Sequence, residues 1–333
     1  MKIPLPHLAA ALVVLAWPAS AGAQEFETLG SRAAGMGGAF VAVADDASAA
    51  YWNPAGFAAG SVVSMVLDLS TANVNPPASP SGSRSGWLIA VGAPALGLTY
   101  YRLRRTFLLP GPFPAAGTDG NEPGPGEVRL DTLTTHQIGA TLVQSLTSYL
   151  AVGATLKVVR GTAASVVRPD GDRDQLLEDG GDLSGMDSTK LDADLGLMAS
   201  AGRLKAGITL RNASEPSFDS EGGGPPLKLE RQARAGVALL ALPGLLIAAD
   251  MDLLTTAGPL GDVRNFAAGA EARVAGRSYV RGGVRVNTTG ESATAFSVGG
   301  SYGVTRSLLI DAQVTSGSDR THRGWGISAR FGY

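Results

Sequence analysis

The chain has 333 residues, with 27 lysines and arginines against 29 aspartates and glutamates, and it contains no cysteine. The near balance of charge argues against nucleic acid as a partner, and the absence of cysteine excludes disulfides, thiolate metal sites and a lipidated cysteine. Glycine is abundant, with 45 residues. Outside the first 23 residues no apolar stretch is long enough for a membrane helix. One large all-β unit fits this composition.

The amino terminus has the pattern of a secretory signal peptide. Lys2 precedes the apolar run Leu8–Trp17, and the small residues Ala21-Gly22-Ala23 follow it. A run of about ten apolar residues is too short to cross a bilayer as a helix. We therefore predict that residues 1–23 are a signal peptide and that the mature chain starts at Gln24. A retained anchor is the alternative.

The next segment, residues 24–60, lacks the two-residue alternation of a strand and is rich in glycine and small side chains. Asp45, Asp46 and Ser48 are residue types that favour the start of a helix, here near position 47. Asn53-Pro54 predicts its end, because the residue before a proline avoids the helical region. We expect short helical pieces here and no strand.

Residues 61–333 read as a series of about fourteen strands in which tight turns alternate with long connections. Predicted strands lie near Ser61–Ser70, Gly86–Ala93, Ala95–Arg104, Leu130–Gln144, Tyr149–Val166, Thr189–Ser200, Arg203–Ala213, Leu229–Leu240, Leu245–Leu254, Arg264–Ala275, Ser278–Asn287, Ala293–Gly303, Arg306–Thr315 and Thr321–Tyr333. Short turns at one end and long loops at the other are typical of a transmembrane antiparallel β-barrel of the bacterial outer membrane. We therefore expect both termini to be periplasmic; a soluble β-sandwich is the alternative.

The two faces of these strands differ in polarity. A charge that faces lipid at mid-bilayer costs about 2–4 kcal/mol, so we assign the charged face to the lumen. The lumen would then hold Lys157, Asp192, Asp194, Lys205, Arg211, Arg234, Asp250, Asp252, Glu271, Arg273, Arg281, Arg285, Asp311 and Arg330. Such charges can pair and hold the interior together, or they can line a polar path for solute.

The last strand shows the alternation most clearly. Its apolar residues stand at every second position and include the final aromatic residue: Trp325, Ile327, Ala329, Phe331 and Tyr333. A terminal aromatic on a last strand resembles the carboxy-terminal signal of bacterial outer-membrane proteins. This resemblance implies that the outer-membrane assembly machinery and outer-membrane lipid are partners.

The segment before the first strand carries a family resemblance. It has three motifs in order: a small-residue run with Arg32 and Gly35-x-Gly37-Gly38, then Asp45-Asp46-Ala47-Ser48, then Trp52-Asn53-Pro54-Ala55-Gly56. This block resembles the amino-terminal block of FadL-type outer-membrane transporters and their PorV-like relatives. The stretch from Arg211 to Leu227 also resembles PorV-type and TraF-type barrels. FadL-like barrels have fourteen strands.

The resemblance implies that residues 24–60 form a plug inside the lumen; a periplasmic extension packed on the barrel is the alternative. The plug motif comprises Arg32, Gly35, Gly37, Gly38, Asp45, Asp46, Asn53, Pro54 and Gly56. The resemblance also implies passive uptake of hydrophobic small molecules, fatty-acid-like or aromatic. The alternative is a PorV-like adaptor that serves a secretion system or holds a surface protein without transporting anything.

An apolar cluster in the predicted connection Arg105–Arg129 suggests where a hydrophobic ligand would first be captured. The cluster comprises Phe107, Leu108, Leu109 and Phe113, with Pro114 beside it. An equally simple interpretation is a loop tip that touches lipid. We expect this cluster to be the ligand-binding site of a transporter.

Three patterns that imitate catalytic or cofactor sites do not qualify. Gly35-Met36-Gly37-Gly38 follows no strand, so it is not a dinucleotide fingerprint. The run Asp170–Asp174 lacks the glycine and the bidentate glutamate of a calcium loop. His136 falls on the lipid-facing parity, where a structural role is the simpler interpretation than catalysis. We expect no enzyme activity, no metal and no cofactor.

Overall fold

The computed structural model describes residues 29–74, 80–110, 126–256, 261–290, 293–317 and 322–333. Fourteen strands form one closed antiparallel barrel in which sequence neighbours pair and the first strand pairs with the last. They are β1 (Ser64–Val74), β2 (Ser81–Ala93), β3 (Leu96–Pro110), β4 (Glu127–Thr147), β5 (Leu150–Pro169), β6 (Met186–Ala201), β7 (Leu204–Arg211), β10 (Gln232–Leu242), β11 (Leu245–Asp252), β12 (Asn265–Ala275), β13 (Ser278–Asn287), β14 (Thr294–Gly303), β15 (Leu308–Gly317) and β16 (His322–Gly332). The two short strands between β7 and β10 form a separate sheet, described below. The predicted fold class is confirmed.

Buried polar and exposed apolar side chains alternate along the strands, so the two faces of the wall differ in polarity as predicted. On β5, Lys157 is 2% exposed whereas its neighbour Leu156 is 69% exposed. The same contrast separates Asp194 from Leu195 on β6. An outward face of exposed leucine, isoleucine and valine is what a barrel presents to lipid, so the charged face lines the lumen.

The two ends of the barrel differ in their connections. At the short-turn end, tight turns join strand pairs such as β2–β3 and β4–β5, and Ser64 pairs with Gly332 where the barrel closes. The long connections all lie at the opposite, long-loop end. Within the described residues, no helix is long and apolar enough to cross a membrane.

The strands around the predicted connection Arg105–Arg129 are longer than expected. β3 continues to Pro110 and β4 begins at Glu127, so Phe107 to Leu109 lie within a strand and not in a loop. A helix that was not predicted, α3 (Arg173–Asp179), makes this extension possible. Its Leu177 packs with Leu108 and Leu130 on the outward side of the sheet. Apolar residues beyond the membrane-spanning height are thereby covered.

The connection between β7 and β10 also has structure of its own. It contains a separate two-stranded sheet, β8 (Ser217–Phe218) and β9 (Leu227–Lys228). Phe218 is fully buried and clusters with lumen-facing Leu133 and Val159. A Cβ added to Gly161 would lie 2.4 Å from the Phe218 ring, so this glycine makes room for the aromatic side chain. The connection therefore folds inward over part of the lumen.

Candidate functional site: the plug and its cavities

Residues 29–60, here called the plug, lie inside the barrel. They contain α1 (Ser31–Gly35), α2 (Ala49–Trp52) and a 3-10 helix at Pro54–Ala59, and nearly all of their side chains are buried. The predicted helix ends at Asn53 as expected, and it begins at Ala49, two residues after the expected start. The Asn53 side chain then caps the following 3-10 helix by accepting a hydrogen bond from the Ala55 amide.

Ion pairs link one side of the plug to strands β12 to β16. Arg32 donates to both oxygens of Glu271, at 2.9 and 3.0 Å, and pairs with Asp45 and Asp46. The chain of pairs continues along the wall and closes on the plug: Glu271 with Arg281, Arg281 with Asp311, Asp311 with Arg330, and Arg330 with Asp46. We call these residues the ionic ring. The predicted contacts of Arg32 and the aspartate pair with lumen charges are present.

The opposite side of the plug is held by hydrogen bonds that involve its backbone groups. Asn53 is fully buried and donates from one amide nitrogen to the carbonyl oxygens of Val41 and Leu197, both at 3.0 Å. Asp250 of β11 accepts hydrogen bonds from the Phe40 and Val41 amides at 2.7 and 2.8 Å. These bonds satisfy backbone groups of a segment that has little regular structure of its own.

Glycines of the wall bring this side of the plug into backbone contact. A Cβ on Gly153 would lie 2.5 Å from the Ala55 nitrogen, and one on Gly196 would lie 2.2 Å from the Asn53 side-chain oxygen. Gly207 likewise faces the Val41 carbonyl at 2.9 Å. We call Gly153, Gly196 and Gly207 with Asn53 the glycine seat. The sequence signal that could have revealed it is glycine on the lumen parity of neighbouring strands.

On the plug itself, Gly37 has a positive φ of 69°, and its Cβ would lie 2.8 Å from the Val284 backbone. Both facts explain why glycine stands there, because a side chain would strain the backbone and collide with the wall. Gly56 meets the same kind of limit, since its Cβ would lie 2.2 Å from the Ala44 carbonyl oxygen. Two glycines of the plug motif are thus needed for packing.

An aromatic group fills the middle of the plug. Trp52 packs edge-on against Phe40 and Tyr51, and its ring nitrogen donates to the Leu29 carbonyl at 2.8 Å. The Arg211 guanidinium of β7 lies 3.6 Å from the centre of the Tyr51 ring. The guanidinium makes a cation–π interaction with the buried ring and thereby holds the plug against the wall. The plug therefore has a small core of its own.

Cavities flank the plug on both sides. On the long-loop side, a cavity of about 70 Å³ lies against Leu29, Ala34 and Gly37, and the barrel wall contributes Leu103 and Ala295. On the short-turn side, a cavity of about 460 Å³ is bordered by the ionic ring. The first cavity has a mixed apolar and polar lining, whereas five charged side chains border the second: Arg32, Asp45, Asp46, Glu271 and Arg330. The plug separates the two.

The structure does not bring the predicted capture residues together. Phe107 and Leu109 share the lumen-facing parity of β3 with Tyr101 and Leu103, and all four are buried. Leu108 faces the other way and packs beneath α3. Phe113 and Pro114 lie outside the described residues. A single exposed apolar tip is therefore wrong for Phe107 to Leu109, because the strand continues through them.

Among the residues the structure describes, no three histidine, aspartate or glutamate side chains are grouped as a metal site requires. His136 lies on the outward face, as predicted, and its Nδ1 is 2.8 Å from the Tyr100 hydroxyl. The two rings also stack. The predicted structural role for this histidine fits its position at the barrel surface.

Several solved structures share this architecture, and their alignments cover nearly the whole chain. A Pseudomonas aeruginosa FadL homologue matches with a TM-score of 0.63 at 12% identity, covering 93% of this chain and 99% of its own. The fold is that of the FadL-type channels. The CymD monoaromatic hydrocarbon channel matches with a TM-score of 0.62 at 15% identity, over 92% and 97% of the two chains. The Ralstonia pickettii toluene transporter TbuX matches with 0.60 at 15% identity, over 91% and 98%.

The similarity found by sequence covers a smaller part of the chain. Residues 130–252 match a family model described as "F plasmid transfer operon, TraF, protein". This range covers less than half of the chain and runs from β4 to the end of β11. No curated protein matches this chain. The similarity to FadL-type channels is therefore one of fold, carried by the barrel and its plug.

Proposed function

We propose that this protein is an outer-membrane channel for passive uptake of hydrophobic small molecules, with aromatic or fatty-acid-like compounds as substrates. The observation that carries the proposal is a lumen closed by a plug whose long-loop face borders a partly apolar cavity. The proteins of similar fold that are named as a monoaromatic hydrocarbon channel and a toluene transporter support it. We also propose that the long loops face outward and that both termini are periplasmic.

The dimensions of the cavity bear on how transport would occur. An engineered protein cavity of about 150 Å³ holds benzene. The cavity above the plug, at about 70 Å³, is smaller than that. A substrate would therefore need the plug, or the connection that carries Phe218, to move before it could enter. Displacement of the plug is the gating step of this proposal.

One observation favours the alternative function, a PorV-like adaptor. The central strands match a family model named for plasmid transfer, which suits a barrel that serves a secretion or transfer system. An adaptor needs no plug displacement and no cavity. The two proposals therefore differ in whether the cavity above the plug matters for activity.

The test is uptake of toluene by cells that lack the protein, that express it, or that express Ala295→Trp. Ala295 lines the cavity and is 5% exposed. Filling the cavity should reduce uptake by about tenfold, equivalent to about 1.4 kcal/mol in the barrier. Ala312→Trp is the matched control, because Ala312 of β15 is exposed on the outward face. Equal uptake by all strains would contradict the channel and favour the adaptor.

The capture site remains a proposal with Phe107 and Leu109 as its described members. Both lie on the lumen-facing side of β3 near the long-loop end, where an entering ligand would meet them. Changing both to serine should lower toluene uptake, because each loses apolar area worth about 25 cal/mol per Å². Leu108→Ser provides a control on the opposite face, where it should loosen α3 and leave uptake unchanged.

A further inference from the structure

The long-loop cavity, of about 70 Å³, and the short-turn cavity, of about 460 Å³, lie one above the other along the same part of the wall. On β15, Gln313 lines the long-loop cavity, and Leu309, four residues nearer the short turn, lines the short-turn cavity. On β16, Gly324 and Arg330 do the same. Four residues of a strand tilted by about 40° span about 10 Å along the barrel axis, which is the diameter of one helix. A thin layer of protein therefore separates the two cavities here.

This layer is the first part of the plug, residues 29–35, which we call the septum. It contains α1, which packs against β13 to β16 and β1. Leu29 and Ala34 border the long-loop cavity, whereas Arg32 borders the short-turn cavity. Moving this single turn of helix would join the two cavities into one passage.

Polar bonds attach the septum to the wall. Asp68 of β1 accepts hydrogen bonds from the Gly30 amide at 3.1 Å, and from the Ser31 amide and hydroxyl at 2.6 and 2.7 Å. Arg32 pairs with Glu271 of β12 at 2.9 Å. Polar groups beside a cavity of this size can exchange such partners for water at small cost. The attachment of the septum is therefore of a kind that can open and close.

A hinge follows the septum. Gly37 and Gly38 both have positive φ, 69° and 86°, and two consecutive glycines can change their backbone angles without a side chain that clashes. A Cβ on Gly35 would meet Gly299 of the wall at 3.4 Å, an ordinary contact, whereas the corresponding distances at the glycine seat are 2.2–2.8 Å. The septum can therefore turn about this hinge while residues 39–60 stay on the glycine seat.

The described strands of the wall offer no lateral exit. β1 pairs with β16 and with β2 at every residue from Ser64 to Val74. The register irregularities of the described barrel strands lie beside the short turns, at the ends of β4, β10 and β12. Hydrogen-bonded strands about 4.8 Å apart leave no room for an aromatic ring, and separating them would expose unpaired backbone groups to lipid. A substrate that passes the septum therefore has to continue along the axis.

We propose that the substrate leaves the barrel along its axis, through the short-turn cavity into the periplasm, when the septum swings about Gly37 and Gly38 and the rest of the plug stays seated. This inference rests on the proposed function and on the proposed orientation of the barrel. The short-turn cavity, at about 460 Å³, has room for a single aromatic ring, for which about 150 Å³ suffices.

The lining of the short-turn cavity suits this path. Tyr279 and Leu309 contribute apolar surface to it beside the charged side chains of the ionic ring. When Arg32 leaves with the septum, Glu271 keeps Arg281 as its partner at 2.6 Å. The opening therefore leaves no isolated buried carboxylate on the wall, whose cost would oppose the movement.

Crosslinks that hold one part of the plug at a time test which part moves. The Ala47 amide donates to Ser64 Oγ at 2.9 Å, so the two Cα atoms lie within about 7 Å and a cysteine pair there is within disulfide reach. Ala47→Cys/Ser64→Cys holds the seated part of the plug and leaves the septum free, so toluene uptake by cells should stay within about twofold on oxidation. Gly35→Cys/Gly299→Cys holds the septum, and uptake should fall at least about tenfold on oxidation. Loss of free thiols shows that each crosslink has formed, since the chain has no other cysteine.

Bulk placed in the short-turn cavity tests the axial exit. Leu309→Trp/Ser61→Trp should lower toluene uptake by about tenfold, because both positions line this cavity. Ile310→Trp is the matched control, since Ile310 is the next residue and lies on the outward face. Leu309→Ala enlarges the cavity and should transport at least as fast as the wild type. A heat-modifiable band shows that each variant is a folded barrel.

Two results would overturn this inference while the proposed channel stands. Loss of uptake on oxidation of Ala47→Cys/Ser64→Cys would show that the whole plug has to leave. Wild-type uptake by folded Leu309→Trp/Ser61→Trp would show that the exit lies elsewhere in the wall. Equal uptake by cells with and without the wild-type protein would instead contradict the proposed function and, with it, this inference.

Discussion

The two sides of the plug are held to the wall by different kinds of contact. On the side of β12 to β16, long charged side chains of the ionic ring meet beside a cavity of about 460 Å³. At the glycine seat, the backbone of the wall meets the plug directly, and an added Cβ would lie 2.2–2.8 Å from atoms of Asn53 or Ala55. Long charged side chains can exchange partners with water, whereas a backbone contact has no such freedom. The seat should therefore tolerate change least.

The largest effect is expected from Gly153→Val. Its Cβ would lie 2.5 Å from both the Ala55 nitrogen and the Pro54 carbonyl carbon, which are backbone atoms that cannot rotate away. The plug should leave its seat, and conductance in planar bilayers should rise, since a barrel of this size is open unless filled. Gly282→Val is the matched control, because an added Cβ there meets nothing within 4 Å. A folded Gly153→Val barrel with wild-type conductance would contradict the glycine seat.

A smaller effect is expected from Glu271→Gln in the ionic ring. This change leaves Arg32 and Arg281 buried without their shared carboxylate. Breaking a buried ion pair costs about 3–5 kcal/mol, and the adjoining cavity should reduce that cost to the lower end. Hydrogen exchange of the plug amides should speed up accordingly. Glu215→Gln removes the same group from an exposed ion pair and should cost less than about 1 kcal/mol. Similar effects of the two substitutions would contradict the claim that the ionic ring stabilises the plug.

Asn53→Ala tests the hydrogen bonds of the seat without adding bulk. It removes two donors and leaves the buried carbonyls of Val41 and Leu197 without them. The expected loss is about 2 kcal/mol of plug stability, again by amide exchange. Asn73→Ala, at an exposed position where one hydrogen bond from Ser83 is lost, should have little effect. Unchanged exchange in Asn53→Ala would mean that water replaces the side chain at no cost.

The smallest effect is a dependence on pH at the ionic ring. Burial is the largest single effect and would raise the pKa of Asp45, but the attraction of Arg32, Lys205 and Arg330 together, with the hydrogen bond from Arg32, holds that pKa below its ordinary value of 3.8. A lowered pKa in the folded state means that the stabilisation is complete above pH 3.8 and is lost as pH falls through the folded-state pKa. The protection factors of the plug amides, which correct for the intrinsic pH dependence of exchange, should therefore fall below about pH 4. Asp45→Asn should show a smaller fall; an identical one would assign the pH dependence to other groups.

The two sides of the plug also differ in how well their contacts could be predicted from the sequence. Charges at alternate positions, such as Glu271, Arg281 and Asp311, identify the lumen face because burying them against lipid is so costly. The plug motif, with Arg32 and the Asp45-Asp46 pair, predicts contacts with those charges, and they are present. Strand number follows from the same alternation.

The sequence places glycines on the lumen parity but does not show which of them meet the plug, because a glycine carries no polarity to mark what it faces. Gly153 and Gly196 meet the plug only through the register of β5 and β6, and a single chain does not reveal that register. The loop predicted at Phe107 to Leu109 was wrong for a related reason. The extension of β3 past Arg104 depends on α3 covering Leu108, a tertiary contact that overrides the loop-like local sequence.

The central claim is that plug displacement gates uptake, and a reversible crosslink tests it most directly. A Cβ on Gly35 of the plug would lie 3.4 Å from the Cα of Gly299 on β14, and the reverse distance is 3.2 Å, so a cysteine pair there is within disulfide reach. The chain has no cysteine of its own, and Gly299→Cys alone serves as the control. Toluene uptake by Gly35→Cys/Gly299→Cys should stop on oxidation and return on reduction. Protein-dependent uptake that continues through the oxidised, crosslinked barrel would contradict the account.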